Sequence, residues 1–222
     1  NKCGPEVVAI LEAYGLMFVI TPEVTWTANT WPTKWVKPND WFWQVLTGGR
    51  LLEEDGTVIQ NCKLQRHILL IDTRKKPVYT GGNQRFDKDV LMENLIGWLQ
   101  DQQKLSIDST CGRGSRFHLS RNDYSKVVAP ALLEALHELG CPAQSVRLEY
   151  CPEHSALCQL FNSPRKDNGK TDTWLWCQEY LDSSGRSLIG GDSGCGGLAY
   201  VNYGDSGGRW DFESGSLVAV MV

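Results

Sequence analysis

The chain has 222 residues, of which 41% are hydrophobic and 22% charged, and its formal net charge is −4. This composition is that of a globular protein and excludes disordered and fibrous chains. The basic residues are scattered rather than gathered into a patch, which argues against a nucleic-acid partner. The longest strongly apolar stretches, such as "GLMFVI", are much shorter than the roughly 20 residues that span a bilayer, so we expect no membrane span.

The N-terminal segment predicts a helix followed by a strand. In "CGPEVVAILEAYG", Pro5 suits the first turn of a helix and Gly15 suits the position just after its end. The next residues, "LMFVI", read as a buried strand that ends before Pro22.

Five of the nine tryptophans fall within residues 24–49, in a segment interrupted by prolines and glycines. Their spacing matches neither a helix nor a single strand, so we expect an irregular segment. One interpretation is an exposed aromatic platform that binds a partner or a sugar ring. The alternative is that the rings fill a core, because tryptophan is usually largely buried. The candidate binding residues are Trp26, Trp31, Trp35, Trp41 and Trp43.

Two later segments, residues 77–111 and 116–151, resemble each other. Each reads as a strand, a polar turn with an aspartate, an amphipathic helix, a second strand and a cysteine. Ser120 is a candidate N-cap for the second helix, and Pro130 predicts either a helix that starts near Tyr124 or a kink. We interpret the two segments as an internal strand–helix–strand duplication.

The C-terminal third reads mainly as strands separated by turn-forming clusters. The candidate strands include "SVRLEY", "ALCQLF", "TWLWCQEYL", "GLAYVNY", "GRWDF" and "SLVAVMV". "TWLWCQEYLDSSGRSLI" and "GLAYVNYGDSGGRWDF" are the two hairpin candidates. The expected fold class is therefore α+β, with an antiparallel sheet and two or three helices packed on one face, in a single domain over residues 1–222.

Eight cysteines are spread over the chain, an even number that is typical of exported, oxidised proteins. We therefore expect four disulfides that staple a secreted, extracellular protein, with a bridge from Cys151 to Cys158 as the best single pair. The start at Asn1, with no apolar leader, is what a mature exported form would show. No CxxC pair is present, so no metal site is predicted. The cysteines are Cys3, Cys62, Cys111, Cys141, Cys151, Cys158, Cys177 and Cys195.

The string GDSG occurs twice, and its second copy, "GDSGGRW", resembles the nucleophile loop of chymotrypsin-like proteases. A serine nucleophile also needs a histidine and an orienting acid. The sequence around His67 lacks the expected context, and Arg209 stands where that loop usually has proline. We therefore interpret both copies as turns, the first of them held by Cys195.

The remaining candidates for catalysis are a histidine and several carboxylates. His118, close in sequence to Asp123, could act as a general acid or base, and Asp205 with Ser206 completes this set. Paired carboxylates that hydrolyse a glycosidic bond could come from Asp172, Glu179, Asp211 or Glu213. No nucleotide-binding, kinase or nucleophile-elbow motif is present, so no cofactor is predicted.

The motif "VYTGGNQRFDKDVLMENLIGWL" followed by Cys111, and the unit "RNDYSKVVAPALLEAL" followed by Cys151, resemble secreted fungal killer-toxin-like effectors over about residues 60–151. In that group a glycine–polar–aspartate turn opens a helix packed on an antiparallel, disulfide-held sheet. The resemblance implies a secreted, non-enzymatic toxin or virulence factor that acts on a cell surface.

Three functions follow from these patterns. The first is a secreted, disulfide-rich toxin or effector that binds a cell-surface protein or glycan through the tryptophans. The second is a small secreted hydrolase that acts on a glycan or peptide through carboxylates or His118. It predicts a pocket that contains two acids, or His118 with an acid partner, within reach of a hydrogen bond or a bridging water. The third is a lectin-like domain. The sequence does not indicate an oligomeric state.

Overall fold

The computed structural model describes residues 3–160, 171–194, 197 and 200–221. The helices are α1 (Pro5–Ala13), α2 (Asp40–Thr47), α3 (Val90–Asp101), α4 (Arg121–Asp123), α5 (Ala129–Glu138) and α6 (Cys151–Leu160). The strands are β1 (Leu16–Ile20), β2 (Val24–Trp26), β3 (Leu51–Leu52), β4 (Cys62–Leu64), β5 (Ile68–Asp72), β6 (Ala143–Leu148), β7 (Trp174–Leu181), β8 (Arg186–Gly190), β9 (Val201–Asp205), β10 (Glu213–Gly215) and β11 (Leu217–Met221).

The first sheet has the strand order β1-β5-β11-β6, and every neighbouring pair is antiparallel. Successive side chains of a strand point to opposite faces. Leu70 and Ala219 therefore face one core cluster, whereas Leu69 and Val218 face another. Because both faces are covered, the central strands β5 and β11 are almost continuously apolar.

The second sheet has the order β10-β7-β8-β9, and β3 also pairs with β7. β7 and β8 form the predicted hairpin, whereas β10 runs parallel to β7. Trp176 and Ile189 face the core shared with the first sheet, and Leu188 faces the tryptophan cluster on the other side. β2 and β4 form a separate two-stranded ladder.

Helix boundaries follow local sequence signals. Ser120 and Asp123 form a capping box that starts α4 at Arg121. A π-helical turn, Tyr124–Val128, joins α4 to α5 just before Pro130. Proline has no backbone N–H to donate, and the wider turn keeps the helical path through this position.

The predicted fold class is confirmed at the level of antiparallel sheets combined with helices, but its arrangement differs. The described residues form two main sheets instead of one. The helices are not confined to one face, because Leu157 of α6 packs against the face of the first sheet opposite to α1, α3 and α5.

Three local predictions are wrong. "ALCQLF" was expected as a strand, but its described residues belong to α6, which has Pro152 and Glu153 in its first turn. Residues 77–111 contain α3 and no strand, so the strand–helix–strand duplication is not present in this half. β9 and β10 also do not pair with each other, so the second hairpin is not formed.

The predicted disulfide staples are not seen, because no two of the seven described cysteines are bonded to each other. The bridge from Cys151 to Cys158 is wrong. Both residues lie on α6, where seven residues rise by about 10 Å, farther than a disulfide can reach. Cys195 and its predicted role in the first GDSG turn lie outside the described residues.

Within the described part of the chain, no helix combines the length and the apolar character that crossing a membrane requires.

Candidate functional site

A pocket with a cavity volume of about 40 Å³ lies between α2, β3, β4, β7 and the start of α6. One part of its wall is apolar and includes Phe42, Leu46, Leu51, Ile59 and Pro152. The other part is polar and includes Glu53, Asn61, Lys63, Gln65, Arg147, Tyr150, Glu153 and Glu179. We call this the glutamate pocket.

Pairing of β3 with β7 builds the floor of the glutamate pocket. Leu51 and Leu52 pair with Leu181 and Tyr180, which places the residue after β3, Glu53, beside the strand that carries Glu179. These residues are far apart in sequence, so only the tertiary fold brings the two glutamates to one wall.

Glu179 is buried, with 2% of its surface exposed. Both of its carboxyl oxygens lie 3.0 Å from the backbone N of Cys151, in the first turn of α6. Burial and, to a smaller extent, the negative charges of Glu53 and Glu153 outweigh the backbone hydrogen bonds that lower the pKa of Glu179, and together they raise it to about 8. The carboxyl group of Glu179 therefore holds a proton at neutral pH.

Glu53 lies in a different environment. It is half-buried, and the Tyr150 hydroxyl donates a 2.7 Å hydrogen bond to its Oε2. Burial, together with this hydrogen bond, raises the pKa of Tyr150 above its ordinary value, so the tyrosine stays a donor. The Tyr150 hydroxyl therefore fixes one oxygen of Glu53 on the pocket wall.

The third glutamate, Glu153, is held by a bidentate ion pair. Arg147 donates hydrogen bonds of 2.7 and 2.9 Å to its two oxygens, and the guanidinium also lies over the Tyr150 ring, 4.6 Å from its centroid. This pair fixes the ring and the start of α6, so Glu153 acts as a positioning residue for Tyr150.

The five tryptophans predicted as a binding platform mostly form a core. Trp26, Trp31 and Trp43 are buried, whereas Trp35 and Trp41 are half-buried against the same cluster. The centroids of Trp26 and Trp31 are 4.8 Å apart. The exposed fraction of these rings is therefore limited to parts of Trp35 and Trp41.

The structure does not bring His118 to Asp123. The Nε2 nitrogen of His118 lies 3.5 Å from Oδ2 of Asp108. Asp123 instead accepts hydrogen bonds from Ser120 and forms an ion pair with Arg209 at 2.7 Å. Asp123 is thus a helix-capping residue.

Ser206 and Asp205 are turn residues. Ser206 is buried and its hydroxyl donates to the Gly185 carbonyl, with the Ser187 hydroxyl 2.8 Å away. Asp205 accepts a 2.9 Å hydrogen bond from the Gly207 N–H. These contacts stabilise the turn after β9, as the sequence analysis expects.

Of the four C-terminal carboxylates, Glu179 alone lines the glutamate pocket. Asp172 and Asp211 accept hydrogen bonds from the backbone and the hydroxyl of Tyr79. Glu213 is buried elsewhere, and burial raises its pKa to about 8.

A buried row of side chains aligns Glu149, His154 and Cys158. His154 Nδ1 lies 2.6 Å from Glu149 Oε2, and its Nε2 lies 3.9 Å from the Cys158 sulfur. This order is that of a thiol nucleophile, a base and an orienting acid. Cys158 has no exposed surface, however, so a substrate cannot reach the sulfur in this conformation.

Sequence reasoning missed Glu53 and Tyr150. The motif "YCPEH" did contain a helix-start signal, Pro152 followed by Glu153. This signal would have placed Tyr150 just before the N-terminus of α6. No local signal marks Glu53, which belongs to the pocket only through the β3–β7 pairing.

Comparison of the chain with protein-family models, with curated proteins and with solved structures finds no match. The killer-toxin-like resemblance thus stays a prediction.

Proposed function

We propose that this protein is a hydrolase that cleaves a glycosidic bond in the glutamate pocket, with Glu179 as general acid and Glu53 as the catalytic base. The observation that carries the proposal is the placement of two carboxyl groups in unlike environments on the wall of one pocket. Glu179 is buried at the start of α6, and Glu53 is half-buried beside a hydroxyl donor.

Such a pair fits the chemistry of glycoside hydrolysis. An un-ionised carboxylic acid protonates the leaving oxygen, and a carboxylate activates the water that attacks the anomeric carbon. In the glutamate pocket, the bond between the anomeric carbon and the glycosidic oxygen breaks while Glu179 gives its proton to that oxygen. Glu53 takes a proton from water, whose oxygen forms the new bond to carbon.

The walls of the glutamate pocket also suit a neutral sugar. A sugar ring has apolar C–H faces and a rim of hydroxyls. The partly exposed Ile59 offers an apolar surface for the face, whereas the exposed Asn61 and Gln65 offer hydrogen-bond partners for the rim. This distribution favours a glycan over a peptide as the substrate class.

The interaction role predicted from the tryptophans has less support, because most of those rings pack in the core. The secreted location and the toxin or effector role remain predictions. A surface partner could contact only the exposed parts of Trp35 and Trp41 among these rings.

A panel of aryl glycosides and neutral oligosaccharides tests the proposal. We expect Glu179→Gln and Glu53→Gln to lower kcat by at least 100-fold on any substrate that is turned over, with little change in KM. The matched controls are Glu213→Gln, a buried acid on another strand, and Glu54→Gln, the exposed neighbour of Glu53.

Saturable sugar binding without turnover would contradict the hydrolase proposal and would indicate the lectin-like function instead. Turnover that survives in Glu179→Gln would show that another group is the acid.

A further inference from the structure

Three side chains of unlike chemistry converge in the segment between α3 and α4. Asp108, Cys111 and His118 each offer one donor atom, and all three donors lie within 4.8 Å of one another. They are one oxygen, one sulfur and one nitrogen. None of the three residues lines the glutamate pocket.

Each donor is held by a separate contact. Oδ1 of Asp108 accepts hydrogen bonds from the backbone N–H groups of Thr110 and Cys111, at 2.8 and 2.9 Å, which leaves Oδ2 facing His118. The backbone N–H of His118 donates to the Trp210 carbonyl at 3.0 Å.

Cys111 is buried, with 1% of its surface exposed, whereas Asp108 and His118 are partly exposed. Arg85 donates to the Cys111 carbonyl, and its other guanidinium nitrogen lies 3.2 Å from the Ser115 hydroxyl. Arg85 therefore holds the backbone at Cys111, and the partly exposed members of the cluster are Asp108 and His118.

The electrostatics around the sulfur favour a cation. Burial is the main cause that raises the pKa of the Cys111 thiol, and the negative charges of Asp108 and Asp211 raise it as well, against the weaker opposing effect of the Arg85 guanidinium. Two negative charges beside a buried thiol disfavour a thiolate nucleophile, which rules against a cysteine-hydrolase interpretation of the same three residues. A bound divalent cation would instead favour the thiolate form of Cys111, because its positive charge offsets the negative charges of the thiolate and of the Asp108 carboxylate.

We propose that Asp108, Cys111 and His118 form a zinc site with three protein ligands and one open coordination position. Sulfur, imidazole nitrogen and carboxylate oxygen are the ligands that Zn²⁺ uses in proteins. Bond lengths of about 2.0 to 2.3 Å place tetrahedral ligands about 3.3 to 3.8 Å apart, so the donors need to draw together by only about 1 Å. The open position would hold water.

The site is independent of the proposed hydrolase function. A mixed oxygen, sulfur and nitrogen set also argues against Ca²⁺ and Mg²⁺, which take oxygen ligands.

Zinc and cobalt titration of the chelator-treated protein tests this inference. We expect one equivalent of Zn²⁺ to bind, and Co²⁺ to give a thiolate-to-metal charge-transfer band. Cys111→Ser should abolish the band, and His118→Gln should weaken zinc binding by at least tenfold. Cys62→Ser, a buried cysteine outside the cluster, and His67→Gln are the matched controls, and both should bind as the parent chain does.

Thermal unfolding gives a second readout that does not depend on the buried cysteine. His118 is 30% exposed at its side chain, so His118→Gln should fold normally. Zinc should raise the Tm of the parent chain and leave that of His118→Gln unchanged. Zinc binding that persists in both cluster variants, or that is lost in Cys158→Ser instead, would overturn the assignment, as would the absence of any zinc binding by the parent chain.

Discussion

The Nδ1 nitrogen of His154 lies 2.6 Å from Oε2 of Glu149, and both side chains are buried. Burial alone would lower the pKa of His154, but the neighbouring Cys158 sulfur and the Glu149 carboxylate outweigh it and raise this pKa to about 9. The imidazole is therefore charged at neutral pH.

This pair predicts a loss of stability at alkaline pH. Because the folded-state pKa of His154 is raised, its contribution is fully present below about pH 6.5 and is lost as the pH rises through about 9. Urea unfolding of the parent chain and His154→Asn at several pH values should show a gap of about 3 kcal/mol that closes over this range. A gap that does not vary with pH would contradict the charged state.

The proton on Glu179 predicts the alkaline side of the activity profile. Since the pKa of Glu179 is raised to about 8, kcat/KM on a cleaved glycoside should be constant below that pH and fall tenfold per pH unit above it. Initial rates between pH 6 and about 10 measure this. Glu213→Gln should keep the same pH profile. A fall in kcat/KM centred far from pH 8 would contradict the assignment of Glu179 as the general acid.

The buried ion network around Asp72 predicts a large cost for removing one charge. Arg74 and Arg116 each lie 2.7 Å from Oδ2 of Asp72, and all three side chains are buried. Breaking such a network leaves a buried charge without its partner, so Asp72→Asn should lower the free energy of unfolding by about 3 kcal/mol.

Denaturant unfolding checks this cost against Asp101→Asn, which removes an exposed pair with Arg113 and should leave stability unchanged. Burial opposes ionisation of Asp72, but the two arginines outweigh it and lower its pKa to about 2. The network's contribution is thus present above about pH 4 and is lost as the pH falls toward 2.

Close packing of Tyr124 on Gly215 predicts intolerance of a single methyl group. A Cβ at Gly215 would lie 2.7 Å from the Tyr124 ring, which has no exposed surface and cannot move aside. Gly215→Ala should therefore lower the free energy of unfolding by about 1 to 3 kcal/mol. Gly4→Ala, where no atom lies within 4 Å, should not; equal effects of the two changes would contradict the packing argument.

The sequence predicted the elements that depend on local signals. Pro5 and Gly15 bound α1, and Ser120 caps α4, because first-turn prolines, left-handed glycines and capping side chains act within a few residues. The β7–β8 hairpin was readable for the same reason.

Features that depend on distant contacts were not predictable. The tryptophans around Trp31 are buried because β7 and β8 supply a surface for them, and their spacing alone does not reveal that surface. Pro152 and Glu153 did mark a helix, but the apolar run after them also fits a strand, and only packing against the first sheet decides between the two.

The candidate site divides in the same way. Glu179 stood among the four carboxylates considered from sequence, whereas its partner Glu53 reaches it through strand pairing across more than 100 residues. The fold topology decides which glutamates lie close together. Composition and motif spacing therefore cannot predict the pair.

The central position of β11 in the first sheet has a consequence for biosynthesis. β5 and β11 are neighbours in the sheet but about 150 residues apart in the chain. At roughly 5 to 20 residues per second, a ribosome needs about 7 to 30 s to make the second strand after the first. During that time the apolar β5 has one unpaired edge, and the nascent protein therefore offers chaperones a binding segment at residues 68–72.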